Sequence, residues 1–318
     1  MLFAKPRRLT ENGVLGMNKR NIDYIGRYNQ RKFYKRVDDK LTTKQLALAN
    51  DIAVPALIGT VCQQHEIMHI PEMVNNRDGF VIKPSQGSGG KGILVITKVE
   101  NGHYFKPNGH EVTPSEIDRH ISNILSGLFS LGGKPDVAIV EGLIEFDPVF
   151  DGYSFEGVPD IRLIVFKGFP VMGMLRLSTA ASDGKANLHQ GAVGVGLDIG
   201  TGQGLHAVQF DRPLDLHPDT DKKLTEILVP HWDTLLHTAS KAYEMSELGY
   251  LGTDMVLDQK LGPLLLELNA RPGLAIQIAN GQGLLPRLKH VEQMKNKSMS
   301  VEERVAYAKT HFSSLPSA

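Results

Sequence analysis

The chain has 318 residues, and 35 Lys+Arg balance 35 Asp+Glu, so it lacks the global field that draws proteins to nucleic acid or acidic membranes. Its one cysteine, Cys62, excludes an intramolecular disulfide and a cysteine-based zinc site. No apolar run reaches the roughly eighteen residues of a membrane span, and residues 1–8 lack a signal-peptide core. The expectation is a soluble cytoplasmic protein of about two or three domains.

The first forty residues are polar and basic and read as one or two short helices. Within them, residues 18–36 interleave Lys and Arg with Tyr, Phe and Ile. That mixture suits RNA or a phosphate-rich partner, a solvated helix face, or a strip lying on an anionic ligand. The neutral total disfavours nucleic acid. Residues 41–50 have helical spacing and stop before Ile52-Ala53-Val54-Pro55. Strands at 80–84 and 92–97 flank a glycine loop. A helix is expected over 114–131, with Thr113 as N-cap and Pro114 at its first position.

A buried strand follows at 138–141, then strands at 161–166 and 171–177 joined by a tight turn. Residues 191–204 read as a glycine-rich twisted hairpin. Residues 222–248 have helical spacing broken at Pro230, giving a short turn and then a long helix. Two apolar runs, 252–257 and 264–268, form a last hairpin around 258–263, and the tail from Leu284 is helical and charged. Strands linked mainly by hairpins, with helices interspersed, favour an α+β fold with antiparallel sheets. Cys62 sits among apolar residues and is expected to be buried. His65, His69, His103, His110 and His120 make no zinc-like set.

The last hairpin carries the first chemical signal. Side chains alternate along a strand, so Glu267 and Asn269 share a face, and Asp254 on the partner strand can join them. Two carboxylates and an amide form an all-oxygen set suited to Mg²⁺, which usually bridges carboxylates to nucleotide phosphates. The competing reading is a hairpin with solvent-facing polar residues.

The second signal is Gly87-Ser88-Gly89-Gly90-Lys91-Gly92, whose glycines let backbone N–H groups cradle an anion. A strand follows the loop, so the helix of a dinucleotide fingerprint is missing, as are the Gly-Lys-Ser/Thr of a P-loop and the signatures of protein kinases. Lys83 precedes the loop and can act as a point charge on a phosphate. The alternative is a flexible surface hairpin.

In this order the motifs resemble the ATP-grasp superfamily, and within it the alpha-L-glutamate ligase-like branch, similar to the enzyme that adds glutamates to a ribosomal protein. The resemblance runs from about Asp39 to Gly273. It implies two α+β subdomains whose antiparallel sheets grip ATP between them. Lys40 of Asp39-Lys40 and Lys83 would reach the nucleotide phosphates, and Gly87, Ser88, Gly89, Gly90, Lys91 and Gly92 would form the phosphate flap. Glu141 and Leu143 would lie at the adenine-recognising hinge. Asp160 would be near ribose, Arg162 nearer the substrate, Arg176 at the transferred or acyl phosphate, and Asn187 beside it. Asp254, Glu267 and Asn269 match the metal ligands, for Mg²⁺ or alternatively Mn²⁺.

The resemblance implies an ATP-dependent carboxylate–amine ligase (an acid–amino acid ligase) working through an acyl phosphate. Its substrates would be a small-molecule or peptide carboxylate and an amine acceptor, with an amino acid such as glutamate as one of them. The alternatives are a small-molecule kinase and a non-catalytic ATP-binding module. Related enzymes are often dimers or tetramers, so a homo-oligomer is in keeping with the resemblance. The expected division is a basic extension at 1–38, a flap-bearing subdomain at 39–139, a metal-bearing subdomain at 140–283, and a helical tail at 284–318.

Two departures stand out. Only 38 residues precede Asp39, so the preceding domain of ~100 residues found in relatives is expected to be truncated. Arg271 replaces a smaller neutral residue, and either forks onto a substrate carboxylate or pairs with Glu267.

Overall fold

A computed structural model describes residues 6–87, 89–100, 102–130, 132–294 and 298–315. The chain divides into a smaller unit, Asp38–Gln45 with Val54–Glu145, and a larger one, Met1–Val37, Leu46–Ala53 and Phe146–Ala318.

In the smaller unit, β1 (Leu57–Val61), β2 (Phe80–Pro84), β3 (Leu94–Ile96) and β7 (Ala138–Gly142) form an antiparallel sheet in the order β1-β7-β2-β3. Between β3 and β7 in sequence, β4 (Lys98–Glu100), β5 (His103–Phe105) and β6 (Glu111–Val112) form a second small sheet. One face of the larger sheet buries Phe80, Ile82 and Val140 in the unit's core. The Pro114–Leu125 helix adds Ile117, Ile121 and Ile124 to it, spaced to share one helical face. Thr113 caps this helix, accepting from the Glu116 N–H. The helix ends at Leu125 rather than running to Leu131, because Gly127 turns left-handed at φ 84°. A Cβ there would also lie 2.2 Å from the Lys134 carbonyl oxygen. Leu131 itself lies outside the described residues.

The larger unit is built on a seven-stranded antiparallel sheet ordered β12-β11-β10-β9-β8-β13-β14. Its strands are β8 (Asp160–Phe166), β9 (Phe169–Leu177), β10 (Val193–Leu197), β11 (Gly204–Gln209), β12 (Arg212–Pro213), β13 (Tyr250–Asp258) and β14 (Gly262–Asn269). Lys167 and Gly168, at φ 50° and 83°, make the two-residue turn between β8 and β9. One face of the sheet carries Leu163, Gly173 and Leu197 and packs on Trp232, at the head of the Trp232–Ser246 helix. Pro230 and the left-handed His231 separate that helix from the preceding Leu224–Glu226 turn. The opposite face is polar at its centre.

The expected division needs correcting. A boundary at 139/140 would cut β7, which is hydrogen-bonded on both edges, to β1 and to β2. Residues 1–38 are not a separate extension. Tyr24 packs edge-on against Phe166 with centroids 5.5 Å apart, and the Asn29 amide donates to the carbonyls of Tyr250 and Ala270. Leu46–Ala53 also belongs to the larger unit, where Lys241 donates to the Asn50 carbonyl and the Leu265 N–H to that of Ala53. The tail packs here too, with Arg304 pairing with Glu244 and donating to Ser240. Cys62 is exposed rather than buried, because it leaves β1 for a turn where its N–H donates to Glu66.

Candidate active site

Strand register assembles the polar face of the larger unit. Arg162 on β8 lies opposite Asp254 on β13, which lies opposite Glu267 on β14. In the next row Asp160 faces Arg176 on β9, Arg176 faces Gly194 on β10, and Gly194 faces Val208 on β11. Directly opposed residues share a face, as do residues two apart on a strand. Asp160, Arg162, Arg176, Asp254, Glu267 and Asn269 therefore project together.

They are in contact. Arg162 forks onto Asp254, with Nε 2.6 Å from Oδ1 and Nη2 on Oδ2. Arg176 forks onto Asp160, with Nε 2.8 Å from Oδ1, and its Nη2 also reaches Asp254 Oδ2 at 2.9 Å. The Asn269 amide lies 3.3 Å from both Asp254 and Glu267. Among the described residues, neither arginine gives its Nη1 to a protein acceptor, so each keeps one charged donor for a ligand anion.

Burial shapes the ionisation. Asp254 is 2% exposed. Burial opposes its charge, but Arg162 and Arg176 outweigh burial and hold its pKa well below the usual carboxylate range. Asp160 moves the other way, pushed up to about 6 by burial and by the charge of Asp254, against the pull of Arg176. Glu267 stands within hydrogen-bonding reach of Asp254. Two carboxylates held this close, beside an amide that can present its oxygen after a half-turn, fit a hard divalent cation.

Two other expected residues of this unit flank its strands, Asn187 before β10 and Arg271 after β14. Asn187 caps the Leu188–Gln190 turn by accepting from the His189 N–H at 3.0 Å. That turn leads into β10 and lays Leu188 over Gly194, where a Cβ would come within 2.7 Å of Leu188 Cδ2. Arg271 follows β14 and holds its guanidinium 5.0 Å from the centroid of the Tyr34 ring. Arg20 donates to the Pro272 carbonyl at 2.8 Å, so the N-terminal segment braces the Arg-Pro-Gly loop.

In the smaller unit Lys40 donates from Nζ to the Gly87 carbonyl at 2.6 Å, at the root of the glycine loop. Gly89, Gly90 and Gly92 all have positive φ. A Cβ at Gly89 or Gly90 would meet nothing within 4 Å, so backbone conformation rather than crowding requires glycine at those two. Lys91 is exposed on the loop, and Ser88 lies outside the described residues. Lys83 and Glu141 lie on the sheet face opposite the core, where Lys83 Nζ sits 2.6 Å from Glu141 Oε2. Leu143 packs against Gly79 just beyond β7.

Sequence reasoning missed Lys44, whose ammonium is 2.7 Å from Glu141 Oε1. Burial lowers its pKa, with Glu141 opposing the shift and Lys83 adding to it. Its one signal was its position a helical turn beyond Lys40. Tyr34 was read only as part of a basic strip, because its partner Arg271 is remote in sequence.

The family described as sugar-transfer associated ATP-grasp matches residues 19–293. No curated protein matches. The chain is similar to many solved structures, among them the following three. The ATP-grasp ligase PsnB complexed with minimal precursor is 12% identical with a TM-score of 0.45, over 89% of this chain and 63% of that one. D-alanyl-alanine synthetase A from Vibrio cholerae is 11% identical with a TM-score of 0.48, over 88% and 66%. The RimK domain protein ATP-grasp from Sphaerobacter thermophilus is 12% identical with a TM-score of 0.46, over 83% and 70%. The chain thus spans less than two thirds of the length of the PsnB structure. The family match covers most of the chain and lies in the superfamily that the ordered motifs resemble. The chain belongs to the sugar-transfer associated ATP-grasp family and has the ATP-grasp fold.

Proposed function

We propose that this protein is an ATP-dependent carboxylate–amine ligase. The supporting observation is the polar sheet face, where Arg162 and Arg176 each keep Nη1 for an anion beside the oxygen-rich trio of Asp254, Glu267 and Asn269. On this reading a substrate carboxylate attacks the γ-phosphate of ATP, ADP leaves, and an amine displaces phosphate from the acyl phosphate to form an amide. An amino acid is one substrate, with glutamate the candidate that the glutamate-ligase resemblance supplies.

The chain's own groups position and neutralise. Arg176 orients the transferred phosphoryl group, and Arg162 holds the substrate carboxylate for in-line attack. Asp160 and Asp254 fix the planes of both guanidinium groups. Lys40, Lys83 and the glycine flap serve the nucleotide phosphates, with Lys83 exchanging part of its pairing with Glu141 for phosphate oxygen. Asp254, Glu267 and Asn269 would hold Mg²⁺, which when bound supplies positive charge to the phosphates.

ADP and free phosphate release from Mg·ATP, measured against pools of amino acids and short acidic peptides, tests the reading. Equal ADP and phosphate, stimulated by a pool and lost in Glu267→Gln, is the expected result. ADP without free phosphate would replace the ligase with a kinase. A failure of every pool to stimulate ADP release would reject the reading in favour of a nucleotide-binding module.

A further inference from the structure

The polar face continues past Arg176 into an apolar pocket. Val208 lies two strands from Arg176 in the same cross-strand row, with only Gly194 between them. At the usual strand spacing that is a distance of about 10 Å. The pocket encloses about 230 Å³, and Leu188, Ala192, Val208, Phe210 and Ile278 form its apolar lining, with Asp211 at its edge. Among its lining residues Asp211 is the one carboxylate and His189 the one basic side chain. Leu188 belongs both to the pocket wall and to the space over Gly194, which it shares with the Met174 sulfur, so two flexible side chains stand between the pocket and the Arg176 row.

Two features argue against a mere packing gap. Phe210 and Asp211 form the turn between β11 and β12 with φ of 49° and 59°, conformations that a phenylalanine rarely adopts. Despite that strain Phe210 is 61% exposed, its ring edge against Gly191. Ile278 is exposed to 43% as well. Large apolar side chains held in the open around a concave lining are typical of ligand pockets.

The geometry points to a substrate subsite: the acid whose carboxylate Arg162 holds beside the phosphoryl group at Arg176 places an uncharged, apolar body in this pocket. A second carboxylate there would lie among apolar side chains and beside the Asp211 carboxylate, with the His189 imidazole as the one basic group of the lining to offset it. The substrate class is therefore a small carboxylic acid with a branched or linear apolar substituent, rather than a dicarboxylic acid such as glutamate. This rests on the ligase reading but sets glutamate aside as the acid that is activated.

Ligand-observed NMR titrations of the full chain, with Mg²⁺ and a non-hydrolysable ATP analogue, test it. The probes are leucine and 4-methylpentanoate against glutamate and glutarate. The apolar acids are expected to bind at least about tenfold more tightly, since a methylene in such a pocket is worth roughly ten- to two-hundredfold in selectivity. Phe210→Ala is expected to weaken them about tenfold, and Ile278→Lys to reverse the order by giving the second carboxylate a partner. Both side chains are exposed, so both variants are expected to fold. Equal or tighter binding of the dicarboxylates, no binding of the apolar acids, or a preference that neither substitution changes would overturn the assignment. Apolar acids that bind as expected without stimulating ADP release would sink the ligase reading and leave the subsite standing. Stimulation by dicarboxylates alone would do the reverse.

Discussion

Arg162 and Asp254 face each other across β8 and β13 and meet through two of the three guanidinium nitrogens and both carboxylate oxygens, with Nε 2.6 Å from Oδ1. Removing one partner of a buried pair leaves an uncompensated charge. Arg162→Ala is therefore expected to lower unfolding stability by about 3 kcal/mol, the lower end for such pairs because Arg176 still touches Asp254. Arg162→Met combined with Asp254→Asn should recover most of the loss. Urea denaturation of the single and double variants checks both expectations, and an additive double variant would contradict the coupling.

The metal and phosphate roles give a kinetic expectation. Glu267→Gln and Arg176→Ala should each reduce substrate-stimulated ADP release about a hundredfold or more, as loss of one preorganised charge does elsewhere. Chelation with EDTA should abolish turnover, and excess Mg²⁺ or Mn²⁺ should restore it. Activity that persists in EDTA would remove the metal from the scheme.

Gly194 and Gly196 both point toward the polar face, but their neighbours differ. A Cβ at Gly194 meets the end of Leu188, a side chain that can move, whereas one at Gly196 lies 2.5 Å from the Ala279 carbonyl oxygen and 2.6 Å from the Asn280 Cα. Gly194→Ala should cost about 1 kcal/mol and Gly196→Ala about 3 kcal/mol, since backbone cannot yield as a side chain does. Thermal melts rank the two, and equal losses would contradict this account.

Stability should depend on pH through His217. This residue is fully buried, with Nε2 3.2 Å from the Ser178 carbonyl and Nδ1 accepting from the Asp219 N–H. Burial lowers its pKa below 6.5. The unfolded chain therefore takes up the proton first as pH falls. The contribution of neutral His217 is complete above about pH 6.5 and is lost as pH drops from there through the native pKa. Denaturant midpoints of His217→Gln should vary less than wild type between about pH 5 and 7.

Asn29 is 4% exposed and joins both ends of the β13–β14 hairpin. Its amide donates to the Tyr250 carbonyl at 2.7 Å and the Ala270 carbonyl at 3.1 Å, and its oxygen accepts from the Tyr250 N–H at 2.9 Å. Asn29→Ala would leave three buried backbone groups unpaired. A loss of about 3 kcal/mol is expected, measurable by urea denaturation.

What could be read from the sequence was local. Strand alternation placed Glu267 and Asn269 together, and the hairpin turn brought Asp254 beside them, because both follow from a period of two over a short segment. The capped start of the 114–125 helix was equally legible at Thr113, although its end was placed too late. The pairing of Asp254 with Arg162 was not legible. It depends on the register of β8 against β13, set by residues 92 positions apart. For the same reason the Tyr34 ring beside Arg271 was not foreseen. Residues 46–53 were assigned with their chain neighbours, and only packing shows that they belong to the larger unit.

The N-terminal brace also sets a timetable for synthesis. Asn29 waits for Tyr250 across 221 residues, and Leu15 for Gln277 across 262. At about 5–20 residues per second, some 10 to 45 s pass between the making of Asn29 and of its partner. Throughout that interval the aromatic face of Tyr24 and Tyr28, destined for Phe166 and Tyr250, has no completed sheet to cover it. The nascent chain thus carries an aromatic segment that stays uncovered until β8 and β13 have been made.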